Sequence, residues 1–151
     1  MKEIEPAIVL AKLDFMTDYL ESLSSFESIT LEEYLSDRGK QLIIERLLQL
    51  IIQVAIDVNR YLLKRLEVQQ PNSNFDVFIE VSNCGIITAE LAKILSQSGV
   101  LRNRLVHLYD AIDPLKVHQA IDIVLQKYPI YQRQVTTYLD SLRDNNRSGI
   151  D

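Results

Sequence analysis

The chain has 151 residues, 47% hydrophobic and 25% charged, with 16 Lys and Arg against 21 Asp and Glu for a formal net charge of −5. That length suits one domain burying roughly two thirds of its unfolded surface, and the acidic balance excludes a general nucleic-acid coat, whose nonspecific affinity comes from clustered Lys and Arg. The apolar runs are interrupted by glutamine and flanked by charge, short of the roughly 20 residues a bilayer crossing needs, so no membrane span is predicted.

In chain order, Ala7 to Ser25 reads as a first amphipathic helix ended by Ser24, Ser25 and Ser28. Thr30 followed by Glu33 is a capping-box signature, in which hydroxyl and carboxylate satisfy each other's free backbone amides, and predicts a short helix there. Asp37 to Glu67 is almost unbroken helix with apolar residues on more than one side, which places it centrally or against a partner. QQPNSN over 69–74 is the clearest loop. Phe75 to Ser82 forms a short helix, Asn83, Cys84 and Gly85 break it, and Thr88 caps the next one over Ala89 to Ser98. Gly99 interrupts or loosens that helix, since glycine costs about 1 kcal/mol against alanine. Asp113 and Pro114 cap and open a last helix running to about Arg143, kinked at Pro129. The expected architecture is an all-α antiparallel bundle of about five helices, one domain over 1–143 with a flexible tail over 144–151. The N-terminus lacks a secretory cleavage pattern, and the lone Cys84 cannot form an internal disulfide; a cytoplasmic protein is expected.

LRNRLVHLYD, over 101–110, gathers two arginines, an asparagine, a histidine and a tyrosine in a chain with only two histidines. At about 100° per residue, Asn103 and His107 stack at i and i+4 on one helical face, and Arg102 and Tyr109 share the neighbouring stripe. Arg102 and His107 diverge by roughly 140°, an arc a long guanidinium stem can span. A neutral imidazole with pKa near 6.5 can accept the proton of a ribose 2′-hydroxyl, and a guanidinium offers a charged planar fork to a phosphate. The blander readings are a packed or exposed histidine bonded to Asn103, a salt bridge from Arg102 to an acid, and helix packing by Asn103. Arg104 and Lys93 are candidate RNA contacts. Arg46, Gln49, Asp57 and Asn59 interrupt an apolar helix, and buried polar groups need partners, so Arg46 and Asp57 are candidates to support the motif from behind. His118 reads as structural or exposed. Cys84 has no second thiol or histidine near it in sequence, and no metal site is predicted.

The run Arg102, four residues, His107, one residue, Tyr109, with Asn103 after the arginine, resembles the R-x4-H-x-Y motif of the HEPN superfamily, and more narrowly its HepT toxin branch. The resemblance extends through TLEEYLSDR (30–38), ERLLQLIIQVAID (45–57), FIEVSNCGIITAELAKIL (78–95) and DAIDP (110–114). It implies a HEPN-like helical fold and the toxin of a type VII toxin–antitoxin system, a metal-independent endoribonuclease without cofactor. Arg102 and His107 would be its catalytic residues and Asn103 an orienting one. It further implies a homodimer with a composite active site, and a minimal nucleotidyltransferase (MNT) antitoxin that neutralises the toxin by transferring AMP to Tyr109. Two other functions use the same helix: a non-catalytic HEPN module that binds a nucleotide or a nucleotidyltransferase, and a structural helical dimer.

Overall fold

The structure is a computed structural model and describes residues 3–107 and 112–148, with 146–148 as backbone only. Among the described residues there are six helices and no strand: α1 (Pro6–Ser24), α2 (Leu31–Ser36), α3 (Arg38–Arg65), α4 (Asn74–Asn83), α5 (Ala89–Val106) and α6 (Pro114–Ser148). The all-α architecture matches the expected class, with one helix more than the count of about five.

Local chemistry explains the boundaries. Thr30 caps α2 by accepting from the Glu33 amide at 3.1 Å, but only half of the capping box forms, because the Glu33 carboxylate takes the Thr30 hydroxyl instead of its amide. Asp37, on extended backbone, separates α2 from α3 and caps α3 through the Lys40 amide. Ser73 and Thr88 do the same for α4 and α5, and Asp113 accepts from the Leu115 amide at the start of α6. The turn after α4 needs its glycine: Gly85 has φ +79°, a region L side chains avoid.

Neither Gly99 nor Pro129 ends its helix. Gly99 lies inside one continuous α5, and α6 runs through Pro129 without ending, held by the fully buried Tyr128 and Tyr131 on either side of the proline. Helical backbone also continues past the expected limit at Arg143 to Ser148; residues 149–151 lie outside the described residues.

Hydrogen bonds across the bundle give the helix directions. The Glu5 amide donates to the Tyr61 hydroxyl, setting α1 antiparallel to α3. Gln134 on α6 accepts from the Thr88 amide and Tyr128 meets Ser98 at 2.6 Å, so α5 and α6 are antiparallel as well. α3 supplies the centre, with Ile44, Leu48, Ile51, Ile52, Leu62 and Leu63 all fully buried. Asn59, also fully buried, accepts from Tyr131 at 2.5 Å while Tyr131 reaches the Ala55 carbonyl. Desolvation holds the Tyr131 and Tyr128 hydroxyls protonated, well above the usual tyrosine range, so both stay donors.

His118 is structural. Its Nε2 lies 2.8 Å from the Ile29 carbonyl oxygen and its ring is tilted against Tyr34 at 5.9 Å. Burial raises the Tyr34 hydroxyl to about 12, with Glu45 adding to the effect.

Candidate active site

The site sits at the C-terminal end of α5, and what brings α5 to its neighbours is the absence of a side chain. A Cβ on Gly99 would lie 2.7 Å from the Asn74 carbonyl oxygen and 2.8 Å from its carbon. Backbone therefore meets backbone, and the first residue of α4 comes within reach of the motif. Asn74 Nδ2 donates to Asn103 Oδ1 at 2.8 Å.

Arg102 is half-buried and fixed on two sides. Its Nε donates to Gln53 Oε1 on α3 at 2.7 Å, and its Nη1 to Asn103 Oδ1 at 3.3 Å. Gln53 in turn donates to Asp57 at 2.8 Å. On the other side Arg60 Nη2 donates to Asn74 Oδ1, and Arg60 Nη1 ties the 69–74 loop through Gln70 and the Pro71 carbonyl. The guanidinium thus rests on two neutral amides, and no carboxylate among the described residues forms a salt bridge with it. Its remaining Nη1 and Nη2 hydrogens have no hydrogen-bond partner among the described residues.

His107 departs from the expected geometry. α5 ends at Val106, and His107 is its C-cap on extended backbone (φ −82°, ψ 100°), its amide closing the last turn on the Asn103 carbonyl at 3.1 Å. The helix expected to run on through 101–110 therefore ends after Val106, while His107, joined to Asn103 by this i to i+4 bond, still follows it by one helical turn. The His107 side chain is exposed and makes no hydrogen bond among the described residues. Tyr109 and Asp110 lie outside the described residues.

The other candidates are spread around this centre. Arg104 and Lys93 are exposed on α5. Eleven residues apart, they share a face at about 100° per residue, with Lys93 on the far side of the helix from Arg102. Asp57 is exposed and, among the described residues, reaches the motif through Gln53, behind the guanidinium. Arg46 is exposed on α3 and has no hydrogen-bond partner among the described residues. The sequence reading missed Gln53, Asn74 and Arg60. Gln53 and Asp57 at i and i+4 on the polar stripe of α3 were the available signal.

The motif is a surface arrangement. A cleft of about 490 Å³ between the α4–α5 turn and α6, lined by Thr88, Arg133, Gln134 and Tyr138 among others, contains none of the motif residues.

The profile of a family described as "Ribonuclease HepT-like" matches residues 16–135, most of the chain and all of its site. The chain belongs to this HepT-like ribonuclease family. A HepT-like relative from Aphanizomenon flos-aquae (strain 2012/KM1/D3), named "tRNA nuclease HepT", is 49% identical over 146 residues, covering 97% of this chain and 99% of the relative. Three solved structures share the fold. A Bacillus subtilis cytosolic protein of unknown function, YutE, has a TM-score of 0.73 at 21% identity, over 93% of this chain and 94% of its own. A toxin–antitoxin crystal structure with AMP-PNP has 0.78 at 17%, over 87% and 98%. A tri-AMPylated Shewanella oneidensis HEPN toxin in complex with an MNT antitoxin has 0.77 at 18%, over 86% and 97%. As a HepT-like ribonuclease, the chain carries its Arg102–Asn103–His107 cluster at the free end of α5, and no helix among the described residues is long and apolar enough to cross a membrane.

Proposed function

We propose that the chain is the toxin of a type VII toxin–antitoxin pair, an endoribonuclease that acts on tRNA in the cytoplasm and is silenced by AMP transfer to Tyr109. The observation that carries the reading is Arg102, pinned by neutral amides with guanidinium hydrogens left unpartnered among the described residues, on the helix whose C-terminal end carries the exposed His107. The substrate follows the name of the relative at 49% identity, and the modification follows the AMPylated HEPN toxin of the same fold.

His107 accepts the proton of a ribose 2′-hydroxyl, and the 2′-oxygen bonds to the adjacent phosphorus. Arg102 and the Asn103 amide stabilise the extra negative charge on the phosphoryl oxygens. The P–O5′ bond then breaks and the leaving oxygen takes a proton, giving a 2′,3′-cyclic phosphate and a 5′-hydroxyl.

One histidine cannot serve as base and acid at once, so the reading includes a homodimer in which a second copy supplies the acid. Two exposed aliphatic side chains near the start of α3 support this: Leu42 and Ile43, each 52% exposed, lie within about 100° of Arg46, Gln53 and Asp57 on the helical wheel, on the helix that holds Arg102.

The test is purified chain incubated with tRNA in the presence of a metal chelator. Cleavage leaving cyclic phosphate and 5′-hydroxyl ends is expected; cleavage that requires a divalent ion, or that leaves 5′-phosphates, would overturn the mechanism. Co-expressed with a cognate MNT nucleotidyltransferase, the wild-type chain should gain the mass of one or more adenylyl groups on Tyr109 and lose activity, because bulk and negative charge then stand where the RNA phosphate docks. Tyr109→Phe should gain none and stay active, whereas mass addition on that variant would place the modified residue elsewhere.

A further inference from the structure

The motif residues do not set their own orientation; two side chains from other helices do, and neither belongs to the motif. Guanidinium groups only donate hydrogen bonds. Arg60 therefore requires the Asn74 oxygen to face it, which turns the Asn74 nitrogen toward Asn103. Arg102 requires the Asn103 oxygen, and Asn74 donates to that same oxygen. With a guanidinium at each end, the sense of every amide between them is forced, where amide orientation is otherwise ambiguous. The same logic applies on α3. Gln53 must accept from Arg102 and donate to the Asp57 carboxylate, a combination that a neutral amide provides.

From this we infer that Asn74 and Gln53 are positioning residues of the RNA-cleaving site. Asn74 fixes Asn103 with its oxygen inward, so its NH2 is the end left to meet a phosphate oxygen. Gln53 fixes Arg102 by its Nε, leaving the terminal nitrogens for substrate, and keeps Asp57 one side chain away from neutralising the guanidinium. The inference rests on the ribonuclease reading above and assigns Asn103 the role of donor.

The experiment uses two near-isosteric variants of the full chain. Asn74→Asp keeps an acceptor for Arg60 but presents a carboxylate oxygen to Asn103, so the Asn103 amide must turn its NH2 inward. Gln53→Met keeps the length and removes the acceptor. Each should lower kcat for tRNA cleavage by roughly tenfold, the scale of one hydrogen bond to a charged group, with KM changed less than about twofold and the melting temperature unchanged. NMR should find the Arg102 Nε–H protected from exchange in the wild-type chain and unprotected in Gln53→Met, whether or not the preparation is active. Unchanged kcat in both variants, or a loss that tracks a fall in melting temperature, overturns the inference. A wild-type chain with a protected Nε–H that cleaves no RNA overturns the ribonuclease reading and this role with it, while an unprotected Nε–H in an active wild type overturns the positioning alone.

Discussion

His107→Ala is expected to abolish RNA cleavage, with a fall of about 10³-fold or more, and to melt with the wild-type protein. The activity loss has a chemical scale: positioned proton transfer contributes roughly 10²–10⁴-fold, and in a homodimeric site the substitution removes base and acid together. The stability expectation comes from geometry. His107 is exposed, its side chain has no hydrogen bond among the described residues, and alanine retains the amide that closes α5 on Asn103; such surface changes usually stay within about 0.5 kcal/mol. His118→Ala is the matched control, since it removes the contact to the Ile29 carbonyl and the Tyr34 ring and should lower the melting temperature while leaving cleavage intact. A fully active His107→Ala protein would exclude His107 as the base.

Gly99→Val should be the most damaging small substitution in α5. Glycine in a helix interior is worth about 1 kcal/mol less than alanine, so propensity alone predicts that replacing it stabilises the protein. Packing predicts the opposite and is the larger effect. The added Cβ would meet the backbone of Asn74, which cannot rotate away as a side chain could, and a branched residue brings two further methyl groups into the same gap. Overpacking of this kind costs typically 1–3 kcal/mol, and about 3 kcal/mol is expected for valine by chemical denaturation. Pushing α4 off α5 also separates Asn74 from Asn103, so the variant should lose cleavage under conditions where it remains folded. A Gly99→Val protein as stable as wild type would mean that α4 and α5 do not approach this closely.

The bundle was largely legible in the sequence because its signals are local. Thr30, Thr88 and Asp113 each cap the helix they announce, QQPNSN is a loop up to Ser73, and much of the apolar stripes of α1 and α3 is buried, although Phe15, Leu42 and Ile43 are exposed. The motif was legible as a set of residue types. What periodicity could not supply was which neighbour each face would meet. Arg102 finds Gln53 across 49 positions and Asn103 finds Asn74 across 29, and no pattern within a helix encodes such pairings. Gly99 was read as a weakness in α5 because helix propensity is a local quantity, whereas its value lies in the close approach of α4. The sequence reading also assumed a helix running on through 101–110, whereas α5 ends at Val106 with His107 as its C-cap.

On the proposed function, the end of α5 divides the site into a preassembled anion cradle and a separately hung base. Arg102 and Asn103 are tied to two other helices, but His107 hangs on extended backbone one step past the last turn. Affinity and turnover should therefore be separable: a chain without the imidazole still captures its RNA, and acts as a competitor that shields the substrate from the active toxin.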